Sequence, residues 1–467
     1  MLSRAGTLGP SCTARPSYAA HSLRRFRRFA HAPRFPHAPR FHASLSSRPS
    51  VSLASDGLRL TLPGPEPQNH VFPYVWLRDS DPQLVHPHTR QKIHKSVDIP
   101  SNVKPTDAHM SIDGKEVILK WNDEYLADGL FQWPKSTSFS IDFLRRHADP
   151  NEVRAYHHDV SPVLWTRGTL GRSNRLYLEY DNVMNTDDGL LRAVSQLTSY
   201  GILFVSGVPS ENTSDETAEL PKLAERFSPI RDTFYGRTWD VMSRGADSRN
   251  AAYTDLDLGL HIDLEYFEHP PRYQILHMLR NRGVTGGASI FSDGLRAAYA
   301  LKEVDREAFD TLCAEPVAFH YINDGHHLYQ EHPTIQLASP GSRGYDSKRG
   351  QPAVQYINYS PPFQAPLPLA TARNPRFIPA LKKFANLLSS DEGLFGCSLE
   401  EGTAVIFENR RVLHGRRQFV NASKTRWDQV GEAEEGIRWL KGCYIEADGI
   451  FDRLNILSDR QQDIDSS

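Results

Sequence analysis

In "GLHIDLEYFEHPP" (259–271), His261 and Asp263 stand two positions apart. In a strand, residues i and i+2 share a face, so an imidazole and a carboxylate at that spacing aim the same way. A second histidine would complete the set of two imidazoles and one carboxylate that holds Fe(II) on one face and leaves three positions open for oxygen chemistry. That third ligand has to come from a distant strand, because a single segment cannot close a facial arrangement. His414, in "VIFENRRVLHGRR" (405–417), follows an apolar run and precedes Gly415, where a backbone can pass close to a ligand. With 20 histidines in the chain, an H-x-D pair carries little weight by itself.

The elements that would position these residues are mostly short strands. From about 57 to 135, "LRLTLPG", "VFPYVWLRD", "KSVDIP" and "EVILKW" are brief apolar runs split by Pro, Gly, Asn and Asp, which predicts a small all-β module over 56–145. A polar linker is predicted through "RRHADPNEVRAYHHDVSP". Beyond it, "GLLRAVSQLTSY", "LRAAYALKEVDREAFDTLC" and "FIPALKKFANLL" have helical spacing, while "GILFVSG", "YQILHMLRN", "GGASIFSDG", "VIFENRRVLHGRR" and "IRWLKGCYIEA" read as strands. Short strands with flanking helices, and no GxGxxG fingerprint, predict a mainly β fold. The expected core is a jelly-roll, or double-stranded β-helix, over 165–460 rather than a doubly wound sheet.

Composition bounds the function. The four cysteines are scattered and form no CxxC pair, which fits a reducing compartment. No run of 18 apolar residues occurs, so no transmembrane helix is expected. Residues 1–55 carry nine arginines and four histidines with no acid before Asp56. Basic, acid-free and without an apolar h-region, they read as a mitochondrial presequence, disordered in itself, which implies the matrix; the alternative is a basic tail on a cytoplasmic protein. Without those nine charges the formal charge falls from −2 to −11, a poor match to nucleic acid.

Taken together, H-x-D at 261–263, "VTGGAS" at 284–289, "LHGRRQF" at 413–419 and Arg438 resemble the Fe(II)/2-oxoglutarate dioxygenases of the taurine dioxygenase superfamily. The similarity is greatest to the γ-butyrobetaine and trimethyllysine dioxygenases of carnitine biosynthesis, and it runs from "VWLRD" (75–79) to "DRLNIL" (452–457). The resemblance implies that His261, Asp263 and His414 are the iron ligands. It also implies that Arg438, Ser289 and Asn250 hold 2-oxoglutarate, Arg438 by a bidentate fork on the distal carboxylate. It further implies that Tyr235, Trp239, Tyr253 and Tyr444 line a quaternary-ammonium pocket. Aromatic faces suit that group, because a trimethylammonium ion has no N–H to donate. The reaction so implied is hydroxylation of γ-butyrobetaine to L-carnitine with dioxygen, giving succinate and CO2, in a homodimer. Trimethyllysine or another trimethylammonium compound is the alternative substrate. Trp239 favours the first, since a smaller aromatic is expected there in the trimethyllysine enzymes.

Three departures stand out. The family's N-terminal module holds zinc with three cysteines and a histidine, yet "WLRDSDPQLVHPHTRQKIH" (76–94) has no cysteine and Tyr125 takes the histidine's place, so no zinc is expected. His86, His88 and His94 are a weak substitute set lacking a fourth ligand. Leu264 replaces an aromatic and Ala288 an acid. A lineage that sheds family features keeps open a catalytically silent betaine- or metal-binding protein. A zinc hydrolase is disfavoured, because the chain has no H-E-x-x-H.

Overall fold

The central strands Ile202–Ser206, Ala404–Glu408 and Ile437–Ile445 are buried on both faces, and that two-sidedness decides the architecture: the sheet that holds them has to be covered twice. The computed structural model describes residues 48–122, 133–159, 161–242, 254–339, 345–346, 351–421 and 437–466. Asn250, Tyr253, Tyr125 and the Arg-rich residues 1–47 lie outside them. The chain divides into two compact units, through Phe139 and from Ser140.

Eleven strands of the second unit matter for the site. In chain order they are β1 (Tyr177–Glu179), β2 (Ile202–Ser206), β3 (Ile230–Arg231), β4 (Trp239–Met242), β5 (Leu258–His261), β6 (Tyr273–Arg282), β7 (Ser289–Asp293), β8 (Leu394–Cys397), β9 (Ala404–Glu408), β10 (Val412–Arg416) and β11 (Ile437–Ile445). The major sheet runs β4-β11-β6-β9-β2-β1 with β3 also on β11; the minor sheet runs β5-β10-β7-β8. Apart from the parallel β1–β2 pair, these ladders are antiparallel.

Period-2 alternation sorts the side chains. Phe204, Met278, Phe407 and Leu440 of the major sheet meet Phe291 and Val412 of the minor sheet in one buried layer. The alternate residues, Leu203, Val205, Ile275, Ile406, Cys443 and Ile445, turn away and pack under the helices Asp187–Tyr200, Leu220–Phe227 and Ala447–Ser466. On the outer side of the minor sheet, Leu260, Ile290 and Leu413 lie beneath helices Gly294–Val304, Arg306–Ala314 and Phe377–Leu388. Two curled sheets between helical layers match the predicted jelly-roll core with flanking helices.

Local signals explain both the agreements and the differences. Helix Asp187–Tyr200 starts where Thr186 accepts from the Gly189 N–H and stops at Gly201, whose φ of 72° no β-carbon favours. The single helix predicted over 295–313 is two, broken where Asp305 caps the second by accepting from the Ala308 N–H. The stretch predicted as linker folds as helices Ile141–Ala148 and Pro150–Tyr156, capped by Ser140 and Asp149. Asp149 followed by Pro150 is a helix-start signal, which polarity alone conceals.

The first unit holds two three-stranded sheets, Ser50–Leu53 with Leu58–Leu62 and Gln68–Phe72, and Pro105–Met110 with Glu116–Trp121 and Ser136–Ser140. Two segments predicted as strand differ: Tyr74–Asp79 is a helix and Ser96–Asp98 a 3-10 turn. Pro73 ends the strand pairing and starts the helix.

A buried polar network braces this unit. Arg78, fully buried, pairs with Asp81 at 3.3 Å, donates to the Pro134 carbonyl at 2.8 Å, and lies 4.8 and 4.9 Å from the ring centres of Trp121 and Trp133. Asp81 also accepts from Thr137 Oγ1, which accepts in turn from Trp121 Nε1. His94 gives Nε2 to Asp79, and His86 uses Nδ1 to accept from the Thr89 N–H. Neither ring meets His88 around a common point: among the described residues, the one cluster of three converging metal-ligand side chains lies in the second unit.

Asp81→Ala leaves the Arg78 guanidinium buried and uncompensated. It is expected to cost about 3–5 kcal/mol in urea unfolding followed by tryptophan fluorescence, whereas Arg78→Met with Asp81→Leu should recover most of that loss.

Candidate metal centre

His261 ends β5 and His414 sits in the middle of β10, directly opposite in the antiparallel register. Their ring centres are 4.3 Å apart. The two strands approach this closely because position 415 is glycine; a Cβ there would come within 2.6 Å of the Leu258 carbonyl oxygen. Gly415 thus serves contact between strands, and it also lines the cavity over the histidines.

Asp263 corrects the sequence reading in another respect. The strand ends at His261, and Asp263 lies in the turn beyond it. Its carboxylate reaches the histidines because the next residue, Leu264, takes a φ of 62°. A left-handed leucine costs on the order of 1–2 kcal/mol, and Asn409 holds the turn in place. Asn409 Oδ1 accepts from the Asp263 N–H at 3.1 Å, while Nδ2 donates to the Asp263 carbonyl at 3.0 Å and the Pro271 carbonyl at 3.2 Å.

The result is a buried triad. Asp263 Oδ1 lies 3.4 Å from His261 Nε2, Oδ2 lies 3.6 Å from His414 Nε2, and the three ligand atoms fall within 4.8 Å of one another. Neighbouring ligands on an ion with ~2.1 Å bonds sit about 3 Å apart, so a small closing movement suffices for Fe(II). His261 Nδ1 is engaged with the Gly259 carbonyl at 2.9 Å, which turns Nε2 inward as the metal-facing nitrogen. Burial, with His261 close by, pushes the His414 imidazole down to about 3, so it is neutral and able to ligate. Burial alone would raise the Asp263 pKa, but its contacts with His261, His414 and Gln274 outweigh that and hold it ionised well below the carboxylate range.

A cavity between the sheets opens on the triad. At one end Ser289 of β7 and Arg438 of β11 line it together with Arg416. Arg438 is 6% exposed, its Nε has no partner, and among the described residues no carboxylate pairs with it. Burial, reinforced by Arg416, lowers it to about 9. A buried guanidinium with no acidic partner among the described residues calls for an anion. Gly287 clears the space: with φ of 70°, its Cβ would come 3.3 Å from Arg438 Nε.

At the other end stand Tyr235, Trp239 and Tyr444. Trp239 lies across β11 and stacks on Tyr444 with ring centres 4.3 Å apart. Tyr235 is 6.4 Å from Trp239, and its hydroxyl is 3.2 Å from that of Tyr266. The predicted residues that lie within the described chain, His261, Asp263, His414, Arg438, Ser289, Tyr235, Trp239 and Tyr444, all line this one cavity.

Residues 152–444 match the family Taurine catabolism dioxygenase TauD, TfdA. The chain belongs to the TauD/TfdA family.

Among its relatives, Dioxygenase str8 of Strobilurus tenacellus is 43% identical over 412 residues, covering 88% of this chain and 89% of that one. The γ-butyrobetaine dioxygenase of Pseudomonas sp. (strain AK-1) is 30% identical over 389 residues, covering 83% and 90%. The mitochondrial trimethyllysine dioxygenase of Bos taurus is 26% identical over 396 residues, covering 83% and 82%. A solved taurine dioxygenase-like protein of Burkholderia xenovorans superposes with a TM-score of 0.41 at 14% identity, covering 61% of this chain and 91% of that one. This TauD/TfdA chain is a 2-oxoglutarate-dependent dioxygenase that uses Fe(II), which sets aside the catalytically silent alternative.

Sequence reasoning missed several residues of the site. Asn409 and Gln274 hold Asp263, Tyr266 and Phe363 extend the aromatic wall, and Arg416 joins Arg438. Gln274 carried a legible signal, a lone amide inside the apolar run "YQILHM". Glu265 did not. It is fully buried with neither carboxylate oxygen partnered, and burial, enhanced by Asp263 though opposed by Arg410, pushes it up to about 8.

Gly442 faces Trp239 across the strands, and a Cβ there would meet its ring at 2.6 Å. Gly442→Ala is expected to displace the indole and raise the KM for the oxidised substrate roughly tenfold, while Fe(II) affinity in anaerobic titrations stays within twofold. His414→Ala should abolish formation of the Fe(II)–2-oxoglutarate charge-transfer band.

Proposed function

We propose that this dioxygenase hydroxylates a small trimethylammonium compound, with γ-butyrobetaine, giving L-carnitine, as the first candidate and trimethyllysine as the second. The observation that carries this reading is the wall made by Trp239 stacked on Tyr444 beside Tyr235. These are polarisable ring faces, and the carboxylate among the cavity's lining residues is the ligand Asp263. A quaternary ammonium ion finds there the field it needs without a hydrogen-bond partner. Relatives named γ-butyrobetaine dioxygenase and trimethyllysine dioxygenase, at 26–30% identity, support the same class.

Fe(II) and 2-oxoglutarate, when bound, supply the oxidising power: dioxygen puts one oxygen into the substrate C–H bond, and 2-oxoglutarate becomes succinate and CO2. The chain's own task is placement. Arg438 and Ser289 anchor the co-substrate at one end of the cavity, and the aromatic wall anchors the cationic head at the other. The carbon presented to the metal is thereby set by distance along the substrate. Leu264, Leu276 and Phe363 keep the intervening wall apolar and exclude water.

That apolar stretch favours a second reading, a neutral branched substrate of the same shape. The two separate by comparing γ-butyrobetaine with its isostere carrying carbon in place of the quaternary nitrogen. The cationic compound should show a KM lower by roughly 2–30-fold, the worth of about 0.5–2 kcal/mol of cation–π attraction. Trp239→Ala should narrow that gap while uncoupled 2-oxoglutarate consumption continues. Equal use of the two compounds counts against the cage, and succinate release driven by trimethyllysine alone would reassign the substrate.

The acid-free arginine-rich segment 1–55 supports a matrix location, testable by import into isolated mitochondria. Resemblance to the family supports a homodimer, testable by light scattering. No described helix is long and apolar enough to cross a membrane.

A further inference from the structure

We infer that Gln274, together with the Tyr444 hydroxyl, is a positioning pair that sets which oxygen of Asp263 the metal receives. Gln274 Nε2 donates to Asp263 Oδ2 at 2.9 Å, and Tyr444 Oη donates to the same oxygen at 3.2 Å. Two donors saturate the lone pairs of one carboxylate oxygen. Both oxygens face a histidine, Oδ1 at 3.4 Å from His261 Nε2 and Oδ2 at 3.6 Å from His414 Nε2, and of the two Oδ1 is the one that keeps its lone pairs for the ion.

The arrangement is rigid because of where it sits. Gln274 is 2% exposed in β6, flanked in register by Tyr444 on β11 and Phe407 on β9. Phe407 in turn packs on the His414 ring at 4.7 Å. This cross-strand row of the major sheet therefore faces the row His261–His414–Phe291 of the minor sheet, and the carboxylate is held between them. The amide can point only one way, because the reverse orientation would set its carbonyl against the carboxylate. Oε1 is thereby left buried and unpartnered. That strain is tolerated because the other half of the amide is committed.

The consequence is coordinative. An aspartate bound through both oxygens would take one of the three positions that a facial triad leaves for 2-oxoglutarate and dioxygen. With Oδ2 occupied by two protein donors, Asp263 binds through one oxygen and all three positions stay available. This holds whichever substrate the aromatic wall receives.

The test is anaerobic Fe(II) titration of the 2-oxoglutarate-loaded protein, read from the charge-transfer absorption. Gln274→Leu removes the donor at nearly constant volume, and Tyr444→Phe removes the hydroxyl but keeps the ring. Gln274→Leu should weaken Fe(II) binding about 10–100-fold and shift the band, and Tyr444→Phe should weaken it several-fold. The double variant should lose less than the product of the two effects, since both donors serve one oxygen. A lower melting temperature with Fe(II) affinity within twofold of wild type in either variant would mean a merely structural role and overturn the inference. If Gln274→Leu does not fold, the Tyr444→Phe titration alone decides, by the same criterion.

Discussion

One cross-strand register carries the site. Because His261 and His414 are directly opposite on β5 and β10, two imidazoles converge from positions more than a hundred residues apart without any side chain reaching far. A one-residue slip would turn His414 outward and put Leu413, now packed under the helices of the minor sheet, into the cavity. The alternation that buries Val412 and Phe291 between the sheets is the same alternation that faces His414 inward. Stability of the hydrophobic layer and placement of the metal ligands are thus one constraint.

The major sheet supplies the complementary half, and β11 carries most of it. Arg438, Leu440, Gly442 and Tyr444 alternate onto its inner face, so a single strand holds the guanidinium at one end of the cavity, the floor beneath Trp239, and the ring that touches both Trp239 and Asp263. At about 3.3 Å per residue, Arg438 and Tyr444 stand roughly 20 Å apart along the strand. That span suits a co-substrate and a substrate meeting at a metal between them. Tyr444 belongs to both halves: its ring stacks on Trp239 in the cavity wall, and its hydroxyl donates to the Asp263 carboxylate.

In the first unit, a buried Arg78–Asp81–Thr137–Trp121 network ties the helix end to two strands. Such a network is directional, and it tolerates loss of the whole set better than loss of one member.

The sequence alone was enough for residue identity and spacing. His261, Asp263, His414 and Arg438 were legible because metal and carboxylate chemistry admits few residue types, and because the quoted motifs recur in a fixed order. The strands around them were legible from apolar runs, and the helix at 187–200 from its period, though the break at Asp305 and the helices at 141–156 were hidden by capping signals a hydropathy reading passes over. Contact across the fold was not legible. That Asp263 reaches the histidines through a left-handed Leu264 rather than a strand, that Asn409 clamps that turn, and that Gln274 and Tyr444 share one oxygen depend on residues brought together by sheet registers. Periodicity tells a residue which face it is on. Only the packed tertiary structure decides what stands opposite, because register and the gap between sheets are set by the whole buried layer at once.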